Sequence, residues 1–185
     1  MESKKVTPIS LAIKWGLIYV VTSIVITYII QFLNLDPDSP VKWLGMVPFI
    51  AFMFLTQKEL RDNNGGYITF GEAFKVGFLY SILSGIVLVV FTYLYFAVLS
   101  PEMLEKILAS TEAKLAAKGL SQEQIDQGMT FTRKFVGPKS IAIGALVSSI
   151  IMGVIVSLIG AAIFKKERSP FDVVSTSDQT SEPTV

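Results

Sequence analysis

The sequence predicts an all-α integral membrane protein: a four-helix bundle with an extramembrane amphipathic helical hairpin between its third and fourth spans. Three observations carry this. Four apolar stretches, Trp15–Leu33, Trp43–Gln57, Val76–Ser100 and Ser140–Phe164, contain no Asp, Glu, Lys, Arg or His within a chain of 185 residues. Hydrophobic residues make up 51% of the chain, more than a soluble domain of this size needs for its core. Between the third and fourth stretches, two segments repeat their apolar residues at helical spacing opposite charged faces.

The first span, about 11–33, follows Lys4 and Lys5 like a signal peptide. Its apolar run is too long for one, and no small-x-small cleavage site precedes Asn34, so it is expected to be an uncleaved signal anchor. Tyr19, Ser23, Thr27 and Gln31 form a polar stripe along it at i, i+4 spacing. In hydrocarbon such groups need partners, either on neighbouring helices or in a water-filled path. No carboxylate accompanies the stripe, which argues against coupling to protons or sodium.

The second stretch, a span of about 41–58, is the shortest, reaching roughly 22 Å against about 28 Å for the first and about 37 Å for the others. Lys42 and Lys58 can snorkel from its ends, Trp43 suits an interfacial anchor, and Pro48 is placed to kink it. A re-entrant segment is the alternative to a short span.

In the connection to the third span, Asn63-Asn64-Gly65-Gly66 reads as a turn and Thr69 with Glu72 as a capping box, so the helix starts before the membrane. Phe70 and Phe74 then fall at headgroup level. Gly65-Gly66 beside Arg61 could cradle a phosphate, but no strand precedes it and the P-loop spacing is missing; turn and cap is the stronger reading.

After the third span, about 70–100, Ser100-Pro101 starts a helix whose apolar positions Leu104, Ile107, Leu108, Thr111 and Leu115 run until Gly119. Ser121 with Gln124 makes a second capping box, and the next helix ends at Gly137-Pro138. The hairpin 101–138 is expected on the membrane surface or as a cap on the bundle. A docking platform for a membrane protein partner, through residues 101–139, is the sharper alternative.

The fourth span, about 139–164, carries small residues at every fourth position: Ala145, Ser149, Gly153, Ser157 and Ala161. The third has a matching run of Ala73, Gly77, Ser81 and Gly85. Such grooves let backbones approach where lipid offers no hydrophobic drive for association, so the third and fourth spans are expected to pack along them. A homo-oligomer through the fourth-span ladder is the rival.

Lys14, Lys58, Arg61, Lys75, Lys165, Lys166 and Arg168 fall on one side of a four-crossing chain, and Asp36 and Asp38 on the other, which puts both termini in the cytoplasm. The loop 101–139 opposes this with six basic residues on the far side. The Ser- and Thr-rich tail, 169–185, reads as a disordered cytoplasmic extension of the domain 1–168.

The formal net charge is only +1, so nucleic acid is not an expected partner. Cysteine and histidine are both absent. Disulfides, thiolate and imidazole catalysis, His- or Cys-ligated haem and the common zinc and iron–sulfur sites go with them. No catalytic residue, metal or cofactor is expected.

Gly66-Tyr67-Ile68-Thr69-Phe70-Gly71-Glu72-Ala73-Phe74 leading to Gly77, the short first loop, and Pro101-Glu102 opening a helical loop resemble the bacterial membrane family called domain of unknown function 4199, over residues 6 to 168. The resemblance implies a small multi-span protein of the bacterial cytoplasmic (inner) membrane. It brings no established activity or site residues. The expected function is a non-enzymatic structural or accessory component of that membrane. The alternatives are an oligomeric channel or small-solute transporter and, further off, an interfacial lipid-acting enzyme using Glu59, Arg61, Asp62 and Glu72.

Overall fold

The structure, a computed structural model, describes residues 7–33, 35 and 40–167. Lys4, Lys5, Asn34, Asp36, Asp38, Arg168 and the tail 169–185 lie outside the described residues, as does the side chain of Lys42.

The described residues are all-α, with helices α1 (Pro8–Phe32), α2 (Met46–Asn63), α3 (Phe70–Leu94), α4 (Glu102–Ala117), α5 (Gln122–Phe135) and α6 (Pro138–Phe164). A 3₁₀ segment, Pro40–Gly45, precedes α2, and a π segment, Tyr95–Leu99, extends α3. With that extension α3 joins α1 and α6 as the three helices among the described residues that are long and apolar enough to cross a membrane.

Local chemistry sets the ends. Thr7 and Ser10 cap α1 reciprocally, each backbone N–H donating to the other's hydroxyl at 3.2 Å, and Pro8 takes the first turn, where its missing N–H costs nothing. At the other end of α2, Gly66 N–H donates to Arg61 O at 2.9 Å and Gly65 N–H to Asp62 O at 3.2 Å. This paired closure needs a left-handed residue, and Gly65 has φ +74°. The glycine turn therefore spends both N–H groups on the helix end, and a phosphate cradle is excluded there. The Glu72 carboxylate accepts Thr69 N–H and Oγ1–H at 2.9 Å each, opening α3. Gln124 and Ser121 open α5 in the same way.

Helix α2 differs from the expected short span. It continues through Lys58, Glu59, Arg61 and Asp62 to Asn63, while Trp43 and Leu44 belong to the 3₁₀ segment. Pro48 is its third residue, inside the first turn where no N–H bonds within the helix, so the kink that Pro48 suggested is not imposed.

The chain divides into two compact units. In the first, residues 7–81 with 153–167, α1 and α2 are antiparallel: Trp15 stacks on Phe52 with ring centroids 5.7 Å apart, and Tyr19 meets Phe49 edge-on at 5.3 Å. A cluster of Leu11, Leu60, Ile68, Ala73, Val76 and Ala161 closes the charged end of this unit. Ile68 and Lys166 exchange backbone hydrogen bonds of 2.9 and 2.8 Å, tying the α2–α3 turn to the end of α6.

In the second unit, residues 82–152, α4 lies against α5 with Leu115 beside Gly128, and α5 buries Ile125 and Met129. In this unit Ile143, Val147 and Ile151 of α6 are exposed, as are Ile155, Ile159 and Ile163 of α6 in the first unit.

Candidate functional site

The first unit holds a polar slot where α2, α3 and α6 meet. Gln57 is fully buried, and its Nε2 donates to Ala73 O and Ser157 O at 3.1 Å each. Two carbonyl acceptors fix which end of the amide is nitrogen. Glycine makes the room: a Cβ on Gly77 would overlap Ser157 Oγ and one on Gly160 would overlap Gln57 Oε1. Among the described residues Oε1 has no hydrogen-bond donor; it rests on the Gly160 backbone. The Ser157 hydroxyl donates to Phe74 O at 2.8 Å, and Ser81 fills the space that Gly153 leaves. Below the slot, Tyr80 donates to Phe49 O at 3.2 Å.

A charged rim follows on the last turns of α2. The Glu59 carboxylate takes Lys14 Nζ at 2.6 and 2.7 Å and Trp15 Nε1–H at 2.6 Å. Burial alone would raise the Glu59 pKa; the hydrogen bonds from Lys14 and Trp15, with the Lys14 charge, outweigh it and hold the carboxyl below its ordinary value. Stability from this clamp is present above the unfolded carboxylate pKa, about 4.3, and is lost as pH falls through the lower folded value. Thermal unfolding temperature should therefore drop in that acid window, and Glu59→Gln should flatten the drop.

Beside the rim, Arg61 lies over the Phe164 ring at 5.7 Å and Lys166 over Tyr67 at 5.4 Å. An open cleft of about 830 Å³ is lined by Asn63, Asn64, Tyr67, Thr69, Glu72 and Lys166, among others. Thr69 and Glu72, both in the motif Arg61, Gly66, Thr69, Phe70 and Glu72, thus reach one surface. Gly66 ends α2 and Phe70, partly exposed, begins α3. Among the described residues no cluster of three metal-ligating side chains forms.

The small residues of α3 and α6 meet in order. In the first unit Gly77 lies against Ser157 and Ser81 against Gly153, with Ala73 and Ala161 in one cluster. In the second, the Gly85 position faces Ser149 Oγ at 3.1 Å. Ala145 is a correction: it is exposed, and Ala142 is buried instead. An α-helix turns about 100° per residue, so a four-residue ladder drifts about 40° per step and sweeps about 160° from Ala161 to Ala145, wider than one groove. On α1, Tyr19 is buried and Ser23, Thr27 and Gln31 are half-buried. Thr27 Oγ1 donates to Ser23 O of its own helix at 2.9 Å.

The family model described as "Protein of unknown function (DUF4199)" matches residues 14–166. The chain belongs to this family. No curated protein and no solved structure matches the chain. The DUF4199 match begins at Lys14 and ends at Lys166, so the Glu59 clamp, the slot and the Ile68–Lys166 bridge all lie within it. Sequence reasoning missed Gln57 as a site residue because it closes an apolar run and looked like a boundary. Its signal was the adjacent polar pair Thr56-Gln57 on a helix too short to cross alone; both are fully buried.

Proposed function

We propose that this DUF4199 protein is a four-crossing component of the bacterial cytoplasmic membrane with a structural or accessory, non-enzymatic role and both termini in the cytoplasm. One observation carries it: in the first unit Gly77, Ser81, Gly153 and Ser157 of α3 and α6 are spent on helix contacts, while the large exposed side chains of α1, α3 and α6 are apolar. In water that arrangement is inverted; in lipid it is the expected one.

The fourth crossing rests on α2 together with its 3₁₀ lead. Twelve residues from Met46 to Gln57 give about 18 Å, and six 3₁₀ residues at about 2.0 Å each add about 12 Å, close to the hydrocarbon thickness. Gly45 between them is helical at φ −70°, ψ −23°, so the backbone passes through without a turn. The partner surface is the α4–α5 hairpin, residues 101–139. A transport path along Tyr19, Ser23, Thr27 and Gln31 has less support, since Thr27 is spent on its own backbone.

Crosslinking in native membranes, followed by purification and mass spectrometry, tests the role. A stoichiometric membrane protein joined to residues 101–139 is the expected result. Recovery of the chain alone as a defined oligomer, with solute flux in proteoliposomes that Thr27→Leu changes, would overturn it in favour of a channel.

A further inference from the structure

Helix α5 combines features that packing against α4 leaves unused. Its buried side is Ile125 and Met129, yet Phe131 and Phe135 are 66% and 54% exposed on another flank. Their rings touch, with centroids 4.5 Å apart, forming one apolar knob on the exposed side of the helix. Arg133 and Lys134 fill the last turn, and Lys139 follows in the first turn of α6. All three are exposed, and among the described residues none is ion-paired. The acids of α5, Glu123 and Asp126, lie toward its other end.

Position supplies the rest. Helix α6 starts at Pro138, three residues after Phe135. If α6 crosses the membrane, as proposed above, Phe131 and Phe135 lie at the level of the headgroups, where aromatic rings settle and cations meet lipid phosphates. We infer that the C-terminal half of α5 is an anionic-phospholipid anchor: Phe131 and Phe135 insert into the interface while Arg133, Lys134 and Lys139 bind acidic headgroups of the same leaflet. The anchor rests on the membrane reading of α6. It would pin the hairpin flat and leave its remaining surface to a partner.

Each cation near an anionic surface contributes about a fivefold gain, so three give a docked-to-undocked ratio on the order of a hundredfold higher in anionic than in neutral bilayers. The chain has no cysteine, so a single spin label reports one position. Gln127→Cys, one turn before Phe131, reads the depth of α5, and Ile151→Cys on the exposed face of α6 reads the crossing. Both are measured in nanodiscs of neutral phosphatidylcholine and in discs containing about one-third phosphatidylglycerol, by collision with oxygen against a water-soluble nickel chelate.

The expected result is a label at 127 that moves from water toward lipid only in anionic discs. The joint change Arg133→Gln, Lys134→Gln, Lys139→Gln should reverse it, as should Phe131→Ser with Phe135→Ser. A label at 151 in lipid throughout verifies that each variant is folded. If 151 is in lipid and 127 is equally wet in both discs, the inference is overturned and the crossing stands. A lipid-embedded 127 that survives loss of the three cations overturns it too, as does spin–spin broadening at 127, which identifies a second copy as the occupant. A water-exposed label at 151 overturns the crossing and the anchor together.

Discussion

Gly153→Leu should abolish the close approach of α3 and α6 in the first unit, with a loss of about 3 kcal/mol of stability. A single Cβ at this position would overlap Ser81 Cβ and Oγ, and the Ser81 backbone stands directly behind. Ser81 is itself fully buried, so it has no free direction in which to yield. Lipid chains are as apolar as the helix surfaces, and separated helices gain nothing by returning unless their backbones fit. Gly144→Leu makes the same chemical change on the same helix where nothing lies within 4 Å, and should change stability by no more than about 0.5 kcal/mol. Thermal aggregation of the two variants in the same detergent compares them directly. Equal midpoints would show that the α3–α6 contact does not hold the unit together.

Gln57→Glu should be at least as damaging, at about 3–5 kcal/mol near neutral pH, although it changes one heavy atom. The amide nitrogen now donates to Ala73 O and Ser157 O; a carboxylate would set an acceptor and a charge against those same carbonyls. Gln57→Leu removes the donors without adding a charge. Both carbonyls belong to helices that supply their own N–H partners, so this variant should cost only about 1 kcal/mol. A large loss for Glu with a small one for Leu would identify the slot as apolar-tolerant and charge-intolerant. Similar losses for both would mean that the amide bonds themselves dominate.

Much of the local structure was legible in the sequence because it depends on neighbours. The capping boxes at Thr69–Glu72 and Ser121–Gln124 and the glycine turn after Asn64 are set by residues within a few positions of one another. Long apolar runs marked α1, α3 and α6 for the same reason. The failures are equally physical. Four-residue spacing follows a helix face only over a short distance, which is why Ala145 turned outward while Gly153, Ser157 and Ala161 stayed in. The helical reach of α2 through a charged segment was hidden because hydropathy falls at Lys58 while the backbone hydrogen bonding does not.

The slot was the least legible feature, since it joins residues far apart in the chain. Gln57 meets Ala73 sixteen positions on and Ser157 one hundred positions on. Nothing in a local window announces that a glutamine ending one hydrophobic run will be received by glycines in two others. Glu59 is similar: its partners Lys14 and Trp15 lie on α1, forty-five and forty-four positions earlier.

That hundred-residue interval also sets a clock. On the four-crossing reading, α2 leaves the ribosome as a short helix carrying an amide whose receiving groove on α6 has not been translated. At roughly 5–20 residues per second the wait is on the order of 5–20 s, long compared with the formation of any single helix. During that time α2 has only α1 and then α3 for company, and its amide must be sheltered by the interface, by water or by the insertion machinery. On that reading the packing of α2 is complete only once α6 is made, and a nascent chain stopped before Ser157 would hold an α2 not yet committed to the membrane.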